Sequence, residues 1–136
     1  MDREPLVFKF DLVLLVDDND IDNFINERMI TTSGFSKNVM VKNSAQGALD
    51  YLAAVSAQGT PLPTVIFLDL NMPVMDGFAF LEAYESLNDT VKSLCKIIVL
   101  SSSISPEDIN RASTNPRVVK FLNKPLGEKY LSAVNF

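Results

Sequence analysis

Five short, mostly apolar runs recur along the sequence, and four of them stop at a polar side chain. The runs lie at 12–16, 39–41, 64–68, 96–100 and 118–122. These are strand lengths, and a continuous apolar composition is typical of strands that are buried on both faces of a sheet. Amphipathic segments separate the runs. The alternation predicts an α/β domain with a five-stranded parallel sheet.

Capping residues mark where the intervening helices begin. The first helix follows the DDND segment, and its pattern places four apolar residues on one face, namely Ile21, Phe24, Ile25 and Met29. The other helices are expected at about 44–57, 77–87, 106–113 and 127–134. We expect residues 1–9 to be a leader and residues 10–136 to form the domain.

Composition excludes several classes of function. The 136 residues contain no histidine, which removes a Ser-His-Asp triad, histidine-ligated zinc and any phosphohistidine within this chain. The net charge is −5 and no basic run is present, so DNA is not an expected partner. One cysteine and the lack of a long apolar segment lead us to expect a cytoplasmic protein without a membrane partner.

The polar residues that end the strands are of types that carry chemistry. Asp17 and Asp18 follow the first strand, Asp69 the third, Ser101 the fourth, and Lys124 closely follows the fifth. The carboxyl ends of parallel strands lie at one edge of the sheet, where ligands bind at the point of reversed strand order. With the strand order 2-1-3-4-5, strands one and three are neighbours and the three carboxylates converge.

Three converging carboxylates repel one another and require a compensating positive charge. A hard cation bound through oxygen can supply it, and Mg²⁺ suits a site with few protein ligands. The ammonium group of Lys124 can supply it as well. Such a site suits a phosphoryl group, with Ser101 on a phosphate oxygen and Asp69 as the nucleophile that forms an aspartyl-phosphate.

The same residues could instead have purely structural roles. Asp17 and Asp18 could cap the first helix, although Asn19 and Asp20 are available for capping. Ser101 lies in the segment SSSIS, which could be an ordinary polar loop. The occurrence of all the polar residues at successive strand ends favours a functional site.

Four sequence blocks resemble the receiver domains of two-component response regulators. They are VLLVDDN at 13–19, VIFLDLNMPVMDG at 65–77, IIVLSSS at 97–103 and FLNKPL at 121–126. The resemblance covers roughly 10–134 and is to the stand-alone, chemotaxis-regulator-like type. It implies a flavodoxin-like, doubly wound five-stranded parallel sheet in the order 2-1-3-4-5, with helices on both faces.

The resemblance also implies roles for the acidic half of the site. Asp69 is similar to the phosphoacceptor of the family and is one of the metal ligands. Asp18 resembles a direct ligand of Mg²⁺, and Asp17 resembles a ligand that acts largely through water. The backbone carbonyl of Asn71 would be the third protein ligand.

The phosphate-facing half follows from the same resemblance. Lys124 is similar to the family lysine that contacts the phosphoryl group, and Ser101 occupies the position of the switch hydroxyl. Phe121 falls at the aromatic switch position, where it could act only sterically because it has no hydroxyl group. The Lys124–Pro125 peptide bond is expected to be cis.

The implied function is a phosphorylation-dependent signalling switch. A sensor histidine kinase or a histidine phosphotransfer protein would donate the group, and an effector protein would receive the signal through protein–protein contacts. The chain would be no enzyme beyond catalysing its own phosphorylation and slow dephosphorylation.

Other functions remain as alternatives. They are a phosphorelay shuttle, a phosphorylation-independent interaction module and an aspartyl-phosphate phosphatase similar to the haloacid-dehalogenase group. Such phosphatases usually require a second Asp two residues after the nucleophile, where this chain has Asn71.

Overall fold

One parallel sheet organises the computed structural model, which describes residues 7–103 and 105–134. Its order is β2-β1-β3-β4-β5. The strands are β1 (Phe10–Val16), β2 (Ser36–Lys42), β3 (Val65–Leu68), β4 (Lys96–Ser101) and β5 (Val118–Asn123). The helices are α1 (Asp20–Thr32), α2 (Ala45–Gln58), α3 (Gly77–Tyr84), α4 (Asp89–Leu94), α5 (Pro106–Ser113) and α6 (Glu128–Ser132). The predicted flavodoxin-like fold and strand order are confirmed.

The structure bears on two expectations, the predicted leader and the lack of a membrane-spanning helix. Most of the predicted leader, residues 1–6, lies outside the described residues. Within the described ranges, every helix is too short or too polar to cross a bilayer.

The sheet has an apolar core on each face, as expected for strands that are buried on both sides. Leu14 and Val16 of β1 join a cluster with residues of α2 and α3. Val13 and Leu15 point the other way and pack with residues of α1 and α6. All four side chains are at most 1% exposed, so β1 is fixed from both faces.

The pairing of β1 with β3 positions the candidate site. Val16 lies opposite Leu68, and the backbone N–H of Asp69 donates to the carbonyl of Val16 at 3.0 Å. Asp17 and Asp69 are the next residues of these neighbouring strands. Strand order reverses between β1 and β3, so the two carboxylates leave the sheet where a ligand crevice forms.

Helix α1 packs on the sheet with a face other than its apolar stripe. Such a stripe ordinarily faces the core. Here three of its residues are exposed, Ile21 by 71%, Phe24 by 63% and Ile25 by 47%. The buried residues of the helix are Asn23, Asn26 and Ile30.

A specific hydrogen bond accounts for one buried amide of α1. The Nδ2 group of Asn23 donates to the backbone carbonyl of Asp17 at 2.8 Å. The helix therefore turns a polar residue inward, where it holds the end of β1 in place.

The helix predicted at 77–87 is shorter in the structure. Helix α3 ends at Tyr84, and the short helix α4, which the sequence reading missed, follows it. Asn88 caps α4, because its side-chain oxygen accepts from the backbone N–H of Val91 at 3.0 Å. The last helix is also shorter than predicted and contains five residues.

Candidate functional site

Three aspartates meet at the carboxyl end of β1 and β3. Asp17, Asp18 and Asp69 each offer one carboxylate oxygen, and these oxygens lie within 4.8 Å of one another. Asp17 and Asp69 are buried, whereas Asp18 is exposed. The structure thus brings together the three carboxylates that the sequence predicted to converge.

The acidic pair after β1 is held by its own loop and does not cap α1. The cap is Asn19, whose side-chain oxygen accepts from the backbone N–H of Asp22 at 2.9 Å. The Oδ1 atom of Asp17 accepts from the backbone N–H of Asn19 at 3.0 Å. Helix capping therefore does not account for Asp17 or Asp18.

Lys124 enters the cluster from the end of β5. Its backbone N–H donates to the carbonyl of Ser101 at 3.0 Å, which anchors the residue beside β4. Its Nζ atom lies 2.5 Å from Oδ2 of Asp17, 2.9 Å from Oδ2 of Asp22 and 3.6 Å from Oδ1 of Asp69. The peptide bond between Lys124 and Pro125 is cis.

Asp22 is a member of the site that sequence reasoning missed. It pairs with Lys124, which is 102 positions away in the sequence, and no local sequence pattern predicts such a contact. Burial opposes the charge of Lys124, but the hydrogen bonds to Asp17 and Asp22 outweigh it and raise the pKa of the ammonium group to about 12. The lysine is therefore a permanent cation at neutral pH.

The carboxyl group of Asp69 is only partly compensated. Burial raises its pKa to about 6, Asp17 and Asp18 add to the increase, and Lys124 together with the Asn71 amide opposes it. Its Oδ1 atom is buried and has no hydrogen-bond partner. A buried carboxylate oxygen without a partner is costly, so this atom is suited to a cation or a covalent ligand.

The loop after β3 folds tightly around Asp69. Asn71, two residues beyond it, is exposed. A Cβ atom on Gly77 would lie 2.6 Å from the carbonyl oxygen of Asp69, so only glycine fits there. Val74, at the tip, is fully exposed and has a positive φ of 68°.

Ser101 lies at the end of β4, and its hydroxyl group is engaged in the following loop. The residue is completely buried, and its Oγ atom accepts from the backbone N–H of Ser103 at 3.1 Å. The hydroxyl of Ser103 in turn donates to Asp108 of α5 at 3.1 Å. Two hydrogen bonds thus link the Ser101 hydroxyl to the first turn of α5 through Ser103.

Phe121 lies on β5 beneath α5. It is half-buried and packs against a small cluster of Leu70, Val99 and Ala112. Leu70 directly follows Asp69, so the ring contacts the backbone region that carries the site. Its switching role stays a prediction.

The donor set fits a hard divalent cation. The three clustered ligand groups are carboxylates, and an unpaired buried oxygen of Asp69 is among them. Mg²⁺ prefers such oxygen ligands and usually retains several waters, which the exposed side at Asp18 would admit.

Comparisons with known proteins show the family to which the chain belongs. A family model described as the response regulator receiver domain matches residues 13–134. A crystal structure of a two-component response regulator from Cytophaga hutchinsonii has a TM-score of 0.82 and 30% identity, over 90% of this chain and 91% of that one.

Two curated relatives are similar over most of this chain. A probable methanogenesis regulatory protein, FilR2 of Methanothrix harundinacea, is 31% identical over 85% of this chain and 72% of its own length. The two-component response regulator ORR1 of Oryza sativa subsp. japonica is 30% identical over 86% of this chain, which spans only 50% of that protein. The family match covers nearly all of the described structure, and the chain therefore belongs to the response regulator receiver domain family.

Proposed function

We propose that this chain is a phosphorylation-dependent signalling switch that accepts a phosphoryl group on Asp69. The proposal is carried by one observation. A buried oxygen of Asp69 has no hydrogen-bond partner, and the ammonium group of Lys124 lies 3.6 Å from it. The donor would be a phosphohistidine on another protein, since this chain has no histidine.

The chemistry is an in-line transfer between two nucleophiles. A carboxylate oxygen of Asp69 forms a bond to phosphorus while the bond from phosphorus to the donor's imidazole nitrogen breaks, and the electron pair stays on that nitrogen. Because the pKa of Asp69 is about 6, the carboxyl group is mostly ionised and nucleophilic at neutral pH. Lys124 can donate to one oxygen of the transferred group.

The three aspartates and the backbone carbonyl of Asn71 would hold Mg²⁺. When bound, the ion neutralises negative charge on the phosphoryl oxygens and relieves repulsion among the carboxylates. Asp18 has the greatest exposure of the three clustered aspartates and is our candidate for direct contact, with Asp17 acting through water.

Ser101 and Phe121 are our candidates for carrying the signal away from the site. The Ser101 hydroxyl would give up the hydrogen bond that it accepts from the Ser103 amide and would donate to a phosphoryl oxygen instead. This change would loosen the loop before α5. Phe121 packs where this loop and β5 meet and would respond sterically. Phosphorylation would thereby shift a two-state equilibrium, as other charge switches do.

The exposed apolar stripe of α1 is our candidate docking surface for the phosphohistidine partner. Ile21, Phe24 and Ile25 lie on the helix that begins immediately after the acidic pair. A shallow groove beside them reaches the site and is lined by Asp22, Ile25, Asn26, Ser102, Lys124 and Pro125. Contiguous exposed apolar residues of this kind mark interaction surfaces.

Phosphorylation with a small phosphodonor tests the proposal. Acetyl phosphate should label the protein only in the presence of Mg²⁺, and Asp69→Asn should abolish the label. Asp89→Asn is a matched control, because Asp89 is fully exposed on α4 and lies outside the acidic cluster. Normal labelling of Asp69→Asn would contradict the assignment.

The same labelled protein separates the alternatives. Rapid transfer of the label to a histidine phosphotransfer protein would indicate a phosphorelay shuttle. A label that persists until slow hydrolysis and that changes binding of an effector would support the switch. Multiple turnover of a phosphomonoester would indicate a phosphatase, which Asn71 in place of a second acid disfavours.

A further inference from the structure

An ion pair across the mouth of the site links α1 to the end of β5. The Oδ2 atom of Asp22 lies 2.9 Å from Nζ of Lys124, and the Asp22 side chain is 36% exposed. Asp22 does not belong to the cluster of Asp17, Asp18 and Asp69. It is therefore a fourth carboxylate near the site, with Lys124 as its contact.

The hydrogen bonds of the ammonium group are unevenly distributed. A lysine ammonium has three N–H donors. Two of the contacts are short enough for hydrogen bonds, to Asp17 at 2.5 Å and to Asp22 at 2.9 Å. The distance of 3.6 Å to Oδ1 of Asp69 is too long for one, and that oxygen has no other partner. Lys124 thus bonds to two carboxylates other than the one proposed to react.

We propose that Asp22 is a positioning residue that competes with the phosphoryl group on Asp69 for Lys124 and so stabilises the unphosphorylated state. This inference rests on the proposed function. The phosphoryl group carries more negative charge than the carboxylate it modifies and offers several acceptor oxygens. On phosphorylation the ammonium group turns its third N–H donor to a phosphoryl oxygen, and it moves away from Asp22 to reach that oxygen.

The difference in exposure identifies Asp22 as the partner that releases the lysine. The Asp17 side chain is 2% exposed, so its buried charge depends on a nearby cation, either Lys124 or the proposed Mg²⁺. Asp22 can be rehydrated when the ion pair opens, so its release requires little free energy.

Binding of beryllofluoride at saturating Mg²⁺ tests this competition. Partly exposed ion pairs contribute little, so Asp22→Asn should tighten binding by about two- to fivefold relative to the unmodified protein. Asp20→Asn is the matched control, because Asp20 lies in the same helical turn, is exposed and forms no ion pair with Lys124 among the described residues. It makes the same change in net charge and should leave the affinity nearly unchanged. Asp22→Glu, which keeps the charge, should return the affinity toward that of the unmodified protein.

A measurement without metal separates the ion pair from a general effect of charge. Hydrogen exchange of the Lys124 ammonium group, followed by NMR in the metal-free protein, should be faster in Asp22→Asn and unchanged in Asp20→Asn. Unchanged exchange in Asp22→Asn, or beryllofluoride binding that weakens or stays the same, would overturn the proposal. Failure of the unmodified protein to bind beryllofluoride would instead overturn the proposed function.

Discussion

The Nζ atom of Lys124 lies 3.6 Å from Oδ1 of Asp69, close enough for electrostatic attraction but not for a hydrogen bond. The carboxyl group of Asp69 is buried, and the nearby Asp17 and Asp18 repel its charge, so its pKa rises to about 6. At the edge of its sheet the folded protein thus keeps a carboxyl group whose ionised form is destabilised by burial and by charge repulsion.

Asp69→Asn should stabilise the metal-free protein at pH 7. The folded-state pKa of Asp69 lies above its ordinary value of 3.8, so ionisation lowers the free energy of unfolding as pH rises from about 4 through 6. We expect a gain on the order of 2 kcal/mol at pH 7 that disappears near pH 4, measured by urea unfolding. Asp89→Asn on α4 is the control, and a gain that is equal at both pH values would contradict the explanation.

Lys124→Met should raise the pKa of Asp69 above 6 in the metal-free protein. Lys124 is the largest influence that lowers this pKa, and the substitution removes it while keeping the length of the side chain. A pH titration of the Asp69 carboxyl carbon by NMR measures the change. Lys120→Met, on the strand β5 that precedes Lys124, provides a control for loss of one positive charge. An unchanged pKa would show that the ammonium group does not reach Asp69 in solution.

Gly77→Ala should destabilise the protein and disturb the site together. The added Cβ atom would lie 2.6 Å from the carbonyl oxygen of Asp69 and 2.7 Å from Cα of Leu70, and both atoms belong to backbone that cannot easily move. We expect a loss of about 2 kcal/mol in the free energy of unfolding. Gly127→Ala is the control, since its nearest contact would be an ordinary 3.5 Å from the Tyr130 ring. Equal stability of both variants would contradict this packing.

The strand ends and their polar residues were accessible from sequence because both follow from local composition. A run of buried apolar residues ends where the sheet ends, so Asp69 and Lys124 are placed by the strands that precede them. Helix α4 also had a local signal, since Asn88 and an acidic residue precede Val91 and Leu94 at helical spacing.

Helix α1 shows where periodicity alone is misleading. Its apolar stripe indicated a helix correctly but did not indicate which face is buried. Asn23 faces inward because the carbonyl of Asp17 needs a donor, and that requirement is tertiary. The contact between Asp22 and Lys124 is likewise a product of the fold, because it joins α1 to the far end of the sheet.

Val74→Asn should stabilise the loop after β3. Val74 has φ 68°, a conformation that is strained for a β-branched residue, and the backbone N–H of Met75 donates across the turn to the carbonyl of Pro73 at 2.8 Å. Asn tolerates this conformation, so we expect the free energy of unfolding to rise by about 1 kcal/mol. Val74→Ile keeps the branched Cβ and should show no gain in urea unfolding. A gain of the same size in both variants would point to a cause other than backbone strain.

Replacing the exposed stripe of α1 should separate transfer from a protein donor from transfer by a small molecule. In the double variant Ile21→Ser, Phe24→Ser, two side chains that are 71% and 63% exposed lose their apolar surface, so stability should change little. If a phosphohistidine partner docks there, its transfer rate should fall about tenfold, while labelling by acetyl phosphate stays the same. Both rates are measured on the same preparations, with a kinase or phosphotransfer protein that labels the unmodified chain.

Leu94→Ser is the matched control for the α1 double variant, because Leu94 is 56% exposed on the distant helix α4 and should leave both rates unaffected. Equal slowing with both donors would show that the substitutions disturb the site itself, and the docking role of α1 would then be wrong.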